Sequence, residues 1–511
     1  MKHGLEFGHV GRLTVAGLAI QCCLATSCEL ITTVDRDSIG LTTSIGGSTS
    51  TSGGAYYTVG PSSGGAGGTV PTGGMPGSTQ AQPETSDAGT CSQDGGPTGS
   101  AGDGGETSDL ARSLLDYDSA PVVSADTQVA LVADLNDFGI KVLQDLAPSN
   151  QNFAVSPVSG FLALTMTSDG AQGDTAAEMA TVLYPDVPAS DIQVATNQIL
   201  QRVRGYVRAP TQTTDGEKKV SLNVANDVFA QKGLNIEQPF LDNLATNYNA
   251  GVELVDFSSN PDGACDLINN WVASETNCII SNLLPPGTLD KDTRLVLVNA
   301  LYLYSSWKNA FNPKSTQSRT FHSVAGDGSA EFMYNELYLN FASGTGWQGV
   351  DIPYYGGSLV LTAILPNSGQ FDAIKANLNA AWFSSFDAST HQTGLALILP
   401  KFKLAGSTVS WLSTLEHLGM NKLFNQRQCD LSGITQDVPL YVKDVLQQVY
   451  IDVSEQGTEA TAATAVVLPR AVIEGAGVPM IIFDRPFLFF VREPKGPVLF
   501  AGQVVSLPVG K

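Results

Sequence analysis

Residues 455–477 read EQGTEATAATAVVLPRAVIEGAG. They lie between two runs with the composition of buried strands, DVLQQVYIDVS (Asp444–Ser454) and VPMIIFDRPFLFFVRE (Val478–Glu493). The stretch has no aromatic residue, few charges and a run of Ala and Thr, so it is too small to form a core. Its alternation nevertheless suits a strand. Every second residue from Thr458, namely Ala460, Ala462, Thr464, Val466 and Leu468, is uncharged; Glu459 falls on the opposite face with Thr461, Ala463, Ala465, Val467 and Pro469. Side chains alternate between the faces of a strand and an unpaired charge is costly to bury, so one face of this segment would be accepted by a sheet interior. Gly457 supplies a hinge, and no proline, which would remove a ladder donor, occurs before Pro469. The segment reads as an exposed loop that doubles as a strand held in reserve.

The chain around it is uneven. Its 511 residues carry 27 Lys and Arg against 49 Asp and Glu, a net charge of -22. That balance argues against a nucleic-acid partner, whose phosphates are bound by clustered cations; the one basic pair, Lys218–Lys219, reads as a solvated turn. Lys2 and Arg12 precede LTVAGLAIQCCLA (Leu13–Ala25), an apolar run too short to span a bilayer and proportioned like the core of a secretory signal. Export to the extracellular space or the outer surface is expected. The following ATSC (Ala25–Cys28) resembles the lipobox of bacterial lipoproteins, which makes Cys28 a lipidation candidate and a lipid anchor the only expected link to a membrane. Residues 29–124, rich in Gly, Ser, Thr and Pro, offer too little apolar surface to offset the entropy of ordering and read as a tether. The folded domain is expected over residues 125–511.

Within it, Val129, Val132, Leu135, Phe138, Val142, Leu143 and Leu146 recur at helical spacing and Pro148 stops the run. FLALTMTSDGAQGDTAAEMATVL reads as two helices broken at DGAQGD, with Thr175 and Glu178 as a capping box for the second. Strand-like runs, among them VSLNVANDVFAQ, TRLVLVNALYLYS and GLALILPKFKLAG, alternate irregularly with helical ones, so the fold class is α+β rather than a doubly wound parallel sheet. Cys265, Cys278 and Cys429 read as buried or unpaired thiols of open oxidation state; a helix between the first two would hold them ~20 Å apart, beyond one bridge.

Nothing supports an enzyme. The five histidines are scattered, and neither HExxH nor CxxC nor a phosphate-binding glycine loop occurs. The one GxSxG, at Gly60–Gly64, sits in the tether without the strand and helix that a nucleophile elbow needs. No metal and no cofactor is expected.

Six ordered segments carry a family resemblance: NFAVSPVSG (Asn152–Gly160), INNWVASET (Ile268–Thr276), VNALYLYSSWKNAF (Val298–Phe311), LPKFKL (Leu399–Leu404), the hinge EQGTEATAATA (Glu455–Ala465) and FDRPFLFFVRE (Phe483–Glu493). Together they resemble the serpins, serine protease inhibitors, over essentially the whole folded domain. One departure is Asn277–Cys278, where the family usually has Gly-Lys. The resemblance implies three β-sheets, about nine helices and an exposed reactive-centre loop that a serine protease cleaves and that then inserts into the central sheet. It implies a hinge at Glu455, Gly457, Thr458, Glu459, Ala460, Thr461, Ala462, Ala463 and Thr464. It also implies a gating cluster beneath the sheet at Ser156, Ser159, Asn299 and Gln447, the last in place of the usual His, and an entry-point tryptophan, Trp307. The reactive bond is expected at Arg470–Ala471, suiting a trypsin-like protease, or at Ala471–Val472, suiting an elastase-like one. A suicide-substrate inhibitor acting as a monomer is the implied function, and a non-inhibitory serpin serving as a binding or structural module is the alternative.

Overall fold

The computed structural model describes residues 108–507 apart from residues 215, 407 and 459–477. The chain divides into residues 1–86 and residues 87–511, and the described residues all belong to the second unit. The signal, Cys28, the reactive bond at Arg470, Ala471 and Val472, and the hinge from Glu459 to Thr464 lie outside the described residues.

Helix α1 (Ala125–Leu146) begins where the Ser124 side chain accepts the Thr127 N–H and ends before Pro148. It buries Leu131, Leu135, Phe138, Val142 and Leu143, whereas Val129, counted on the apolar face, is 70% exposed. Helices α2 (Pro157–Gly170) and α3 (Gly173–Leu183) break at the expected place, but the capping box does not form. The N-cap of α3 is Gln172, without a side-chain cap. Thr175 Oγ1 instead accepts the Asp430 N–H at 3.0 Å, and the Glu178 carboxylate accepts those of Asn421 and Lys422 at 2.8 and 2.7 Å. Orphan donors of a neighbouring loop have taken acceptors that sequence proximity assigned locally. Helix α4 (Pro261–Glu275) follows later; nine α-helices occur among the described residues.

The described strands hydrogen-bond into a ten-stranded and a nine-stranded network. In the first, β1 (Asp109–Ala111), β2 (Gly216–Gln231), β3 (Val252–Val255) and β4 (Leu295–Ser306) lie in the spatial order β1–β3–β2–β4. β1 pairs antiparallel with β3. Beyond it Tyr117 donates to Asn197 at 2.7 Å and the Asp118 N–H to the Thr246 carbonyl at 2.9 Å, so packed structure begins by residue 109, inside the expected tether. The 19-residue β5 (Gly326–Gly344) and β6 (His391–Pro400) belong to the second network. Where the resemblance implies three sheets, β5 is long enough to serve two layers. GLALILPKFKLAG is not one strand: Pro400 ends β6, and β7 (Phe402–Ala405) belongs to the first sheet. A proline cannot donate to a ladder, and here the chain changes sheets.

β8 (Val445–Gln448) and β9 (Tyr450–Val453) share one run, β10 (Gly457–Thr458) is a two-residue strand after a turn, and β11 (Val498–Val504) packs against α2 in the second sheet. β4 is buried along its length apart from Tyr304, as expected of a strand covered on both faces. Val296 and Val298 pack with Ile268 and Val272 of α4. Leu297 and Leu301 join the main core that includes α2.

Candidate functional site

The site lies along one edge of β4. At its lower end β8 runs parallel to β4, with Val445 opposite Leu297 and Gln448 opposite Ala300. At its upper end the neighbour is β10, antiparallel, with Thr458 opposite Ser305 and Gly457 opposite Ser306; β10 in turn pairs with β9 through Val453. Between them, from Leu301 to Tyr304, the described residues give β4 no partner on this side. The sheet is closed below, parted above, and wedged at the top by Gly457 and Thr458 of the expected hinge.

Three strands place an amide in register at the lower closure: Asn226 of β2, Asn299 of β4 and Gln447 of β8. Below them the N-terminus of α2 presents Ser156 and Ser159, both fully buried. Gln447 Nε2 donates to Asn299 Oδ1 at 2.8 Å and to the Ser156 carbonyl at 3.1 Å, while its Oε1 accepts the Ser156 N–H at 2.7 Å. Ser159 Oγ donates to Asn299 Oδ1 at 2.8 Å, and Asn299 Nδ2 reaches Asn226 Oδ1 at 3.2 Å. Ser156 Oγ donates to the Leu499 carbonyl of β11 at 2.8 Å, tying both sheets to the cluster. The residues implied by the resemblance thus come together, with Asn226 as a fifth member that the sequence reading missed. The signal was an Asn facing inward from an apolar strand, but its partner was invisible without the register. A buried network whose members satisfy one another is specific and costly to break.

The upper site is built on Trp307. Its ring is fully buried and stacks on Tyr354 with centroids 4.5 Å apart and planes 8° from parallel. Trp307 Nε1 donates to the Ser454 carbonyl at 2.8 Å, and its backbone N–H donates to the Gln456 carbonyl at 2.9 Å. Tyr354 Oη and Thr458 Oγ1 are 2.6 Å apart, and burial pushes the phenol's pKa up, so it stays a neutral hydrogen-bonding group. Ser454 closes the turn by donating its N–H to the Gly457 carbonyl at 2.9 Å. A Cβ at Gly457 would lie 2.1 Å from the Ser305 carbonyl oxygen, so only glycine lets the hinge approach β4 this closely. Glu455 is buried too: it accepts from Thr316 Oγ1 at 2.8 Å and pairs with Lys401 at 3.3 Å. Burial lowers the Lys401 pKa, but Glu331 and Glu455 outweigh it and hold the ammonium above its ordinary value. Tyr354, Thr316 and Lys401 were not legible as site residues, because they come from distant segments with no shared pattern.

No helix among the described residues is long and apolar enough to cross a membrane. Among the described residues the arrangement is a mixed central sheet closed at one end of the β4 edge and parted at the other. A family model described as Serpin (serine protease inhibitor) matches residues 133–507. Glia-derived nexin of Rattus norvegicus is 33% identical over 383 residues, covering 72% of this chain and 91% of that protein. Plasminogen activator inhibitor 1 of Sus scrofa is 32% identical, with the same coverages. Among solved structures, the thermophilic serpin tengpin in its native state superposes with a TM-score of 0.68 at 26% identity, over 78% of this chain and all of that one. The chain belongs to the serpin family.

Proposed function

We propose that the protein inhibits an extracellular serine protease as a suicide substrate, itself turning over no product catalytically. The observation that carries this reading is the position of β10: the hinge already lies antiparallel between β4 and β9, ahead of four residues of β4 with no described partner on that edge. Continuing the pairing of Thr458 with Ser305 by six residues sets Thr464 opposite Asn299, where Gln447 now sits. Insertion would therefore exchange the Gln447–Asn299 contact for one from the loop. Residues 458, 460, 462 and 464, the uncharged face, would point with Ser305 and Asn299 into the protein. Strand addition of this kind gains main-chain hydrogen bonds at each step, and a native state that can still gain them is held by a kinetic barrier.

Arg470 before the cut would present a cation to the acidic pocket of a trypsin-like protease; cleavage after Ala471 would suit an elastase-like one. The signal and Cys28 would place the inhibitor at a bacterial-type outer surface through a lipid anchor. The test is incubation with trypsin and with pancreatic elastase, followed by a denaturing gel. A covalent complex that survives denaturation is expected. Clean cleavage with no complex would favour the non-inhibitory alternative, and N-terminal sequencing of the released fragment distinguishes Arg470–Ala471 from Ala471–Val472.

A further inference from the structure

β1 leads along an open strand edge into an exposed arginine. One edge of β1 pairs with β3, and no described strand pairs with the other. Arg112 follows directly, outside any helix or strand, and the exposed run resumes at Leu114, Leu115 and Asp116. Leu114 is 101% exposed and Leu110 55%, so the chain is accessible on both sides of Arg112. We propose that Arg112–Ser113 is a processing site, at which a trypsin-like serine protease cuts the N-terminal segment away from the folded domain.

The described residues supply what such an enzyme needs. An extended substrate is bound through main-chain hydrogen bonds along a free strand edge, and Leu110 and Ala111 already lie in a strand with that edge open. The Arg112 guanidinium donates to Asn249 Oδ1, a neutral acceptor, which it would exchange for the carboxylate of a trypsin-like specificity pocket. Within the window Ser113 is the buried residue: its hydroxyl donates to Asp242 Oδ1 at 2.5 Å and accepts the Leu115 N–H at 3.1 Å. β1 itself is held to β3 by three residue pairs and by the Lys232–Asp109 ion pair at 2.8 Å. So short a stretch at a sheet edge opens locally at little cost. Other exposed cations sit in closed turns. The Gln428 and Cys429 N–H groups beside Arg427 both donate to the Asn425 carbonyl, at 3.0 and 2.9 Å; the turn at Lys291 is closed by Thr293 N–H to the Asp290 carbonyl at 3.0 Å, and that at Lys495 by Gly496 N–H to the Glu493 carbonyl at 2.9 Å. A cleft that takes extended chain has to unfold each of these first.

Downstream of the bond the chain is anchored. Beyond the contacts of Tyr117 and Asp118 already described, Asn197 and Gln201 side chains each donate to the Asp118 carbonyl at 2.9 Å, Gln198 donates to the Pro121 carbonyl, and Arg204 lies 5.6 Å from the centre of the Tyr117 ring. Residues 117–121 therefore stay on the domain after a cut at 112, while β1 leaves with the other piece. Cleavage adds one water across the amide: the protease serine takes the Arg112 acyl group and releases the Ser113 amine, water then frees the acyl group, and the products are an Arg112 carboxylate and a Ser113 ammonium. The new ammonium falls beside Asp242, which Ser113 already contacts. β1, no longer part of the same chain as β3, loses the effective concentration that kept three residues paired. The cut frees residues 113–511 from whatever holds the N-terminus; that a lipid anchor holds it is the export reading, on which the site does not depend.

The full chain is digested with trypsin in twofold molar excess, so that active enzyme remains even if one equivalent is trapped, and the large fragments are sequenced from their N-termini over time. A fragment beginning at Ser113 should form about tenfold faster than any cut within residues 117–458, and should be missing from Arg112→Gln. Absence of that N-terminus, or its formation no faster than those cuts, overturns the proposal. After digestion and mild reduction, needed because Cys278 is disulfide-bonded, the peptide ending at Arg112 should elute apart from the domain on native gel filtration; co-elution overturns the release of β1. Both readouts are independent of complex formation, so failure here leaves the proposed inhibition standing, and a chain that traps no trypsin still reports the cut.

Discussion

The two ends of the β4 edge are held in different ways. Below, β8 meets β4 strand to strand, and five polar side chains from three strands and α2 lock the contact. Above, β4 and β9 never touch in register; the hinge's own Gly457 and Thr458 lie between them, held by Trp307, Tyr354 and Glu455. The lower end is a closed lock made of side chains and the upper end an entry made of backbone. Under the proposed insertion, a strand entering from the top would complete unpaired backbone first and would meet the side-chain network only after about six residues, which would place the barrier late.

The strongest way to break this comparison is Thr458→Arg. Thr458 is 2% exposed, and an unpaired cation there costs several kcal/mol. Complex formation with trypsin should fall at least 100-fold and clean cleavage should replace it; intact inhibition would refute entry at β10. Next is Asn299→Leu at the lock, which leaves the Gln447 amide, the Ser159 hydroxyl and the Asn226 carbonyl oxygen short of a partner. At about 1–3 kcal/mol for a buried group left unsatisfied, the urea midpoint should drop while the tryptophan environment at Trp307 holds.

Titration sharpens the comparison further. The lock contains no titrating side chain, since Gln447 stands where the family resemblance usually has a His. One residue beyond Asn226, however, Asp227 is on the opposite face of β2, opposite Val298, which packs with α4. Burial, and then the nearby carboxylates of Glu253 and Glu275, outweigh the hydrogen bond from the Val228 N–H and raise its pKa to about 7. A carboxyl with a raised folded-state pKa binds more protons when native than when unfolded, so stability falls as pH rises from about 4 to about 7. The urea midpoint should be higher at pH 5.5 than at pH 8, and Asp227→Asn should diminish that difference, whereas Gln447→Ala should leave it in place. The smallest effect belongs to Lys401→Met at the entry. Lys401 is 35% exposed and pairs with Glu331 and Glu455; its loss should cost at most about 1 kcal/mol and decrease further in 0.5 M salt.

Much of this was legible in the chain. The helical spacing from Val132 to Leu143, the break after Gly170 and the apolar run that became β4 depend on periodicity, which is local. Of the expected hinge, Gly457 and Thr458 form β10, and Glu459 to Thr464 lie outside the described residues. Ser156, Ser159, Asn299, Gln447 and Trp307 were found through ordered motifs rather than through physics of the sequence. What failed or was missed involves a partner far along the chain. Thr175 and Glu178 bond to residues 421–430 instead of to their own helix end. The LPKFKL run divides between two sheets, Asn226 joins the lock through strand register, and Cys278, read as a buried or unpaired thiol, is exposed and disulfide-bonded.

The sequence by itself therefore determined where the main helices and strands fall and the family to which the chain belongs. Only the tertiary structure decided that β4 is gripped below and parted above. Hydrogen-bond partners across a sheet are set by register between segments tens to hundreds of residues apart, and no local period records that choice.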